Sequence, residues 1–302
     1  METQLLERIA SQAPDMVVIT GCTASGKSAL GLELAEAIDG EILSCDSLSV
    51  YRYMDIGTAK PTLHDQARIP HYGIDLVDPC EQFDVSQYLQ EAQAAVKKIQ
   101  DRGKKVVVVG GSGFYLKSFY APVVDTILVP DAIEKKVEQL EKEKGLAGLM
   151  EKLLEYNNEN DLKIDVKNPR KVATALKKCL VAGKTLNEIN NDFSKLKSPF
   201  QDLKKWTLLV DKPRDVLKIR ARQRVNDMVA KGLIDEVRFL IENYDLNRSA
   251  SAAIGYKEVI YWLRCPTSID DLIDQITQNT CQLIRKQTTW FKKQVPIDMT
   301  VN

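Results

Sequence analysis

The chain has few of the residues that bind transition metals. Among its 302 residues only two are histidines, His64 and His71, and no two of its six cysteines form a C-x-x-C pair. The cysteines are Cys22, Cys45, Cys80, Cys179, Cys265 and Cys281. Zinc sites are typically built from closely spaced His and Cys ligands. The composition therefore excludes a His-rich metal site and predicts reduced thiols.

Long apolar runs are also absent. No stretch approaches the roughly 20 apolar residues that a membrane-spanning helix needs, and residues 1–15 lack the apolar core of a signal peptide. The sequence therefore predicts neither membrane insertion nor secretion, and we expect a cytoplasmic location. It shows no heptad seam, so we expect a monomer.

The chain has no net charge, because 42 basic residues balance 42 acidic ones, but the charges are unevenly distributed. Residues 1–120 contain 11 Lys and Arg against 16 Asp and Glu, whereas residues 201–302 contain 17 against 13. Basic clusters lie in residues 163–184, 212–224 and 281–293. Each cluster alone is typical of a solvated helix face. Together they favour a surface for a polyanion, because phosphate neutralisation requires clustered charge.

A phosphate-binding pattern, G-x-x-x-x-G-K-[ST], is present at residues 21–28. A β-branched strand, residues 16–20, precedes it and a helical stretch, residues 29–35, follows it. This arrangement directs backbone N–H groups and the positive end of a helix at an anion. Lys27 reaches terminal phosphates, and the Ser28 hydroxyl can hold Mg²⁺. The motif predicts a bound di- or triphosphate, without distinguishing a diphosphate from ATP.

Strand and helix patterns alternate over residues 1–120, which predicts an α/β fold with a P-loop NTPase-like parallel sheet flanked by helices. The predicted strands include residues 41–45 and 105–109, and a helix capped by Asp84 lies between them.

Residues 121–200 have helical patterns and few β-branched runs, including a helix over 169–182 that ends at Gly183. Strand character returns at 206–210, followed by a long helix beginning at Pro213 and a last helix over about 267–294. We therefore predict a core of residues 1–120 and 201–302 with an all-α insertion domain at 121–200.

Polar residues follow three of the predicted strands, in the phosphate loop, at Asp46-Ser47 and at Gly110-Gly111-Ser112. Ligands of open α/β sheets bind at the carboxyl ends of the strands, so these groups should converge. Asp46 could hold Mg²⁺, accept a proton from an acceptor substrate, or cap the following turn. The pattern alone indicates a P-loop transferase, with a kinase as the default.

The segment DSLSVYRYMDIGTAKP at residues 46–61 closely resembles the signature of the tRNA dimethylallyltransferases, also called tRNA isopentenyltransferases. Other blocks agree in order and spacing: TASGKS at 23–28, HYGID at 71–75, GGSGFY at 110–115, AGKTL at 182–186, IGYKE at 254–258 and KQTTWF at 286–291. The resemblance covers nearly the entire chain.

This resemblance implies transfer of a dimethylallyl group from its diphosphate to the exocyclic amine of the adenosine 3′ of the anticodon, tRNA nucleotide 37. The tRNAs would be those that read codons starting with U, and diphosphate would be released. The implied partners are tRNA and dimethylallyl diphosphate, and the implied cofactor is Mg²⁺. The adenosine would be flipped into a channel, since the amine of a stacked base is hard to reach.

The resemblance also implies roles for individual residues. Asp46 would be the general base, Ser112 matches a threonine near the reacting centre, and Arg220 matches an arginine that grips the diphosphate. The implied diphosphate site comprises Gly21, Cys22, Thr23, Ala24, Ser25, Gly26, Lys27, Ser28 and Arg224, with Ser28 as metal ligand. The implied tRNA contacts are Asp46, Ser47, Leu48, Ser49, Ser112, Arg170, Lys171, Thr174, Arg285 and Lys286.

The chain departs from the family pattern at several positions. Cys22 replaces a proline, Ser28 a threonine and Ser49 a glutamine, and the usual Lys-Arg-Gln block reads Arg-Lys-Gln at 285–287. Lys171 and Thr174 stand where the family has paired arginines. Lysine keeps the charge but loses the planar fork, and threonine loses both. We therefore expect the departures to affect tRNA recognition more than phosphate chemistry.

Two alternatives remain open at this point. One is an adenylate isopentenyltransferase, which prenylates AMP, ADP or ATP and shares the loop and Asp46. The other is a noncatalytic relative that only binds tRNA or a nucleotide. The helical insertion and basic last helix favour the tRNA enzyme over the first, and retention of Lys27, Ser28, Asp46 and Arg220 opposes the second.

Overall fold

The computed structural model describes residues 2–302, with side chains for 5–291 and 293–302. Its strands are Met16–Gly21 (β1), Gly40–Cys45 (β2), His71–Tyr72 (β3), Lys105–Gly110 (β4), Lys205–Val210 (β5) and Met299–Val301 (β6). Its α-helices are Glu2–Gln12 (α1), Lys27–Ala37 (α2), Leu63–Arg68 (α3), Val85–Asp101 (α4), Gly113–Ser118 (α5), Asp131–Leu154 (α6), Pro169–Ala182 (α7), Leu186–Ser194 (α8), Arg214–Ala230 (α9), Leu233–Asn243 (α10), Arg248–Ser251 (α11), Tyr256–Arg264 (α12) and Ile269–Gln294 (α13).

The chain divides into two compact units. The larger contains the residues up to Ala121 together with Pro199–Asn302, and the smaller is Pro122–Ser198. The six strands belong to the larger unit and form one sheet in the order β3-β2-β4-β1-β5-β6. All neighbouring strands are parallel, which confirms the predicted α/β sheet flanked by helices.

The central strands are buried on both faces because their side chains alternate between two apolar layers. Met16 and Val18 of β1 belong to one layer of the core, and Val17 and Ile19 belong to the other. Residues of β4 divide between the layers in the same way. The β-branched runs seen in the sequence therefore place the sheet in the middle of the larger unit.

The smaller unit consists of α6, α7, α8 and a short 3₁₀ turn at Glu159–Asp161, and it has its own apolar core. Helix α7 has the predicted bounds for local reasons. Asn168 caps its first turn by accepting the N–H of Lys171, Pro169 occupies the first helical position, and Gly183 adopts φ 62° at its end. A left-handed backbone conformation at the end of a helix favours glycine.

Two strands of the sheet have no clear signal in the sequence. β3 is only two residues long, and β6 pairs with β5 through three residues near the end of the chain. Within residues 2–302, no helix is both long and apolar enough to cross a bilayer. All six cysteines are free thiols.

Candidate functional site

The phosphate loop joins the carboxyl end of β1 to the first turn of α2. Gly26 precedes the helix with φ 99°, a left-handed conformation that favours glycine, and the Ser25 N–H donates to the Cys22 carbonyl at 3.2 Å. The first N–H groups of a helix have no intrahelical partner and carry partial positive charge. Ser28 is exposed in this first turn and lines a cavity of the larger unit. The loop therefore has the geometry of an anion site.

Lys27 supplies a cation to the same loop. Its Nζ donates to the carbonyl of Cys22 at 3.2 Å. Burial and, to a smaller extent, the nearby Arg224 cation lower the pKa of Lys27 to about 8, while the charge of Asp46 opposes this shift. An anion bound beside Lys27 would favour its protonated form. The protonation of Lys27 should therefore depend on whether an anionic ligand is bound.

Asp46 lies directly after β2 and lines the cavity. Its Oδ1 accepts the N–H of Leu48 at 2.9 Å, so the residue does cap the following turn. This bond uses one carboxylate oxygen and, within the described part of the chain, Oδ2 has no hydrogen-bond partner. The structural and chemical roles considered for Asp46 are therefore compatible, because different oxygens serve them.

The ends of β2 and β4 are joined by hydrogen bonds. The Cys45 carbonyl accepts the N–H groups of Gly111 and Ser112 at 3.1 Å, and the Ser112 hydroxyl accepts the Ser47 N–H at 2.8 Å and donates to the Ser47 hydroxyl at 3.2 Å. A Cβ on Gly110 would lie 2.1 Å from the Cys45 carbonyl oxygen, so only glycine fits there. The structure thus brings Ser112 beside the Asp46-Ser47 segment, as the sequence predicted.

The next residues of this segment differ in accessibility. Leu48 is half-buried, whereas Ser49 is only 4% exposed. Both residues line the cavity. Contact between Ser49 and tRNA stays a prediction, and its small exposed surface limits such a contact to the cavity side.

Arg220 and Arg224 lie four residues apart on α9 and therefore share one face of the helix. Arg220 is exposed, and its Nη1 donates to the Ser25 carbonyl of the phosphate loop at 3.2 Å. Arg224 lines the cavity, and its Nη2 donates to the Thr58 carbonyl at 3.2 Å. Burial lowers the pKa of Arg224, while the charge of Asp46 opposes this shift. The two arginines thus reach the anion site differently. Arg220 contacts the phosphate loop, and Arg224 lines the cavity.

Sequence reasoning missed the anchors of the segment that follows Asp46. The Glu236 carboxylate accepts the N–H groups of residues 55, 56 and 57 at 2.7–3.1 Å and the Tyr256 hydroxyl at 2.6 Å. Lys60 is buried and donates to the Tyr51 carbonyl and to the carboxylates of Asp55 and Asp75. The only sequence signal was the resemblance of residues 46–61 to a family signature. Sequence spacing gave no reason to pair this segment with Glu236.

These elements surround one cavity of about 970 Å³, near the upper end of the usual range for small-molecule sites. Its polar wall includes Lys27, Ser28, Asp46, Ser112 and Arg224. Its apolar wall includes Met228, Ile254, Phe114, Trp290 and Phe291. The site can therefore receive an anionic group and an apolar group together.

The remaining predicted contacts lie on helix surfaces. Arg170, Lys171 and Thr174 are exposed on α7 of the smaller unit, and the Thr174 hydroxyl donates to the Arg170 carbonyl. Arg285 and Lys286 are exposed on α13 of the larger unit, where Lys286 also lines the cavity. No group of three or more His, Cys, Asp or Glu residues within 2–302 is placed to hold a metal ion. A metal here would need ligand oxygens in addition to Ser28.

Comparison with known proteins gives a consistent result. The family model described as IPP transferase matches residues 49–294. A tRNA dimethylallyltransferase of Opitutus terrae is 41% identical over 95% of this chain and 92% of its own. The crystal structure of a full-length tRNA isopentenylpyrophosphate transferase of Bacillus halodurans is 31% identical, with a TM-score of 0.67, and the match covers 95% of this chain and 91% of that one. A eukaryotic dimethylallyltransferase, described as acting on tRNA, has a TM-score of 0.81 at 26% identity, covering 94% and 73%.

Proposed function

This chain belongs to the IPP transferase family, and we propose that it is a tRNA dimethylallyltransferase. It transfers a dimethylallyl group from dimethylallyl diphosphate to the exocyclic amine of the adenosine 3′ of the anticodon, in tRNAs that read codons beginning with U. One observation carries the proposal: Lys27 and Asp46 line the same cavity, one suited to a leaving diphosphate and the other to the proton of an attacking amine.

The groups of this site can account for each bond and proton that changes in the reaction. The amine nitrogen attacks the first carbon of the dimethylallyl group, and a nitrogen–carbon bond forms while the carbon–oxygen bond to diphosphate breaks. The diphosphate leaves with the bonding electron pair, and the amine proton passes to Asp46. Lys27, Arg220, Arg224 and the N-terminus of α2 stabilise the charge that develops on the leaving group.

The donor atoms at the phosphate loop fit Mg²⁺. This ion prefers hard oxygen ligands and keeps water and substrate phosphates in its shell, and the Ser28 hydroxyl is an exposed oxygen in the first turn of α2. Bound there, Mg²⁺ would offset negative charge on the diphosphate. We propose Ser28 as its protein ligand.

The other partner surfaces follow from charge and exposure. We propose that the all-α unit contacts tRNA through Arg170, Lys171 and Thr174, and that Arg285 and Lys286 of α13 also contact it. The working unit is proposed to be a monomer. Since Thr174 lacks a positive charge, the smaller unit should depend on Arg170 and Lys171 for phosphate contacts.

One assay tests the proposed function against its alternatives. The protein is incubated with dimethylallyl diphosphate, Mg²⁺ and either unmodified tRNA or AMP, and nucleosides are analysed for prenylated adenosine. We expect prenylated adenosine in the reaction with tRNA and none in the reaction with AMP. Product from AMP alone would instead identify an adenylate isopentenyltransferase, and no product from either would identify a noncatalytic relative.

The low pKa of Lys27 predicts proton uptake when a diphosphate binds. Above pH 8 the amine of the free protein is mostly neutral, and an adjacent polyanion raises its pKa, so binding takes up protons. Affinity for inorganic pyrophosphate should therefore fall as pH rises through about 8. Calorimetry at pH 8.5 and 6.5 in buffers of different ionisation enthalpy measures this uptake.

The Lys27→Met variant is the control, because pyrophosphate itself exchanges protons in this range. We expect the excess uptake at the higher pH to be absent in the variant. Equal uptake by the two proteins would show that Lys27 is not the titrating group.

A further inference from the structure

The side-chain amide of Gln287, on helix α13, is hydrogen-bonded to the phosphate loop. The Oε1 of Gln287 accepts the N–H of Thr23 at 2.9 Å, and Nε2 of the same residue donates to the Gly111 carbonyl at 3.3 Å. Thr23 belongs to the phosphate loop, and Gly111 belongs to the turn that carries Ser112. Gln287 therefore bridges the two turns that flank the reacting centre.

A second contact joins the preceding residue of the loop, Cys22, to the following residue of the helix, Thr288. The Cys22 thiol lies 3.1 Å from the Thr288 hydroxyl and 3.6 Å from the Ile284 carbonyl, to which it donates. Gly111 allows the close approach of the helix, since a Cβ there would lie 3.2 Å from Gln287 Nε2 and 3.0 Å from the Gly21 carbonyl. The loop is thus attached to α13 at two consecutive residues.

The loop has a conformation that benefits from such support. Ala24 has φ 64°, a left-handed conformation that is uncommon for residues other than glycine. Strained residues of this kind persist where surrounding contacts hold them. The Thr23 N–H immediately precedes Ala24, so its bond to Gln287 restrains the strained part of the loop.

We propose that Gln287 is a positioning residue that fixes the phosphate loop in its diphosphate-binding conformation and in register with the Ser112 turn. The proposal rests on the proposed function in that the bound anion is a diphosphate. Gln287 lines the cavity, but both of its amide hydrogen bonds go to backbone groups, and we infer that it acts through these. Loss of its amide should therefore weaken diphosphate binding without affecting the RNA surface of α13.

The test uses Gln287→Met in the full chain, because methionine has a similar volume, forms helices well and removes both hydrogen bonds. We expect the Kd of inorganic pyrophosphate to rise about tenfold, as loss of two hydrogen bonds predicts. The KM for dimethylallyl diphosphate should rise similarly, while the KM for tRNA stays within about twofold. Amide hydrogen exchange at Thr23, followed in protein labelled with ¹⁵N-threonine, should become faster.

The matched control is Thr289→Val, two residues along the same helix. Thr289 is exposed, and its hydroxyl donates only within the helix, to Arg285. We expect this variant to match the parent protein in pyrophosphate binding and in Thr23 exchange. Thermal unfolding of both variants reports any general loss of stability.

The outcomes separate the two proposals. Unchanged pyrophosphate affinity in Gln287→Met, with a parent protein that binds pyrophosphate, overturns the positioning role and leaves the proposed function intact. Equal losses in both variants also overturn it, since they would reflect the helix as a whole. A parent protein that does not bind pyrophosphate overturns both.

Discussion

Replacing Asp46 with asparagine should lower kcat on tRNA by about 10³-fold, within the range that removal of a general base produces. Asparagine keeps an oxygen that can accept the Leu48 N–H, so the turn after β2 should persist. It cannot take up the proton of the attacking amine. Dissociation constants for pyrophosphate and tRNA should stay within about threefold, because the interaction lost belongs to the transition state.

Asp84 offers a matched control for this change. Asp84 also lines the cavity, but its carboxylate caps α4 by accepting the N–H groups of Ser86 and Gln87. Asparagine caps helices about as well as aspartate, so Asp84→Asn should keep near-normal turnover. Single-turnover measurements with bound tRNA compare the two variants. A loss below tenfold in Asp46→Asn, or an equal loss in both, would be inconsistent with Asp46 as the base.

Much of this site could be predicted from local sequence patterns. The phosphate loop, the end of β2 at Asp46 and the glycine turn after β4 each follow a strand, and parallel strands place their carboxyl ends at one edge. The sequence therefore predicted correctly that Ser112 and Asp46 lie close together. Local rules also predicted the bounds of α7. Asn168 and Pro169 act on its first turn and Gly183 acts on its last turn, so each signal depends only on residues nearby in the sequence.

The contacts that hold the site together could not be predicted in the same way. Gln287 and Thr23 are 264 residues apart, and Glu236 lies about 180 residues from the amides it binds. Such pairings depend on how helices pack against the sheet, and no periodicity encodes them. The arginines illustrate the same limit. Helical spacing places Arg220 and Arg224 on one face, but tertiary packing decides that Arg224 lines the cavity.

Replacing Lys27 with methionine should have an effect as large as that at Asp46, but with a different kinetic pattern. Lys27 lines the cavity and donates to the loop carbonyl of Cys22, and a leaving diphosphate in this cavity gains charge as its bond breaks. An electrostatic donor of this kind is typically worth about 10²- to 10³-fold in kcat. We expect kcat/KM for dimethylallyl diphosphate to fall about 10³-fold, and the Kd of pyrophosphate to rise only about tenfold.

The difference between those two effects is the informative quantity. If Lys27 only bound the ground state, its removal would lower affinity and kcat/KM by the same factor. If it also stabilises the leaving group in the transition state, its removal lowers kcat/KM by a larger factor than affinity. Lys97→Met is the control, because it removes one positive charge from an exposed ion pair with Asp101 and surface pairs contribute little. Equal losses in kcat/KM and pyrophosphate affinity would assign Lys27 to binding alone. A larger loss in kcat/KM would mean that the phosphate loop assists departure of the diphosphate as well as holding it.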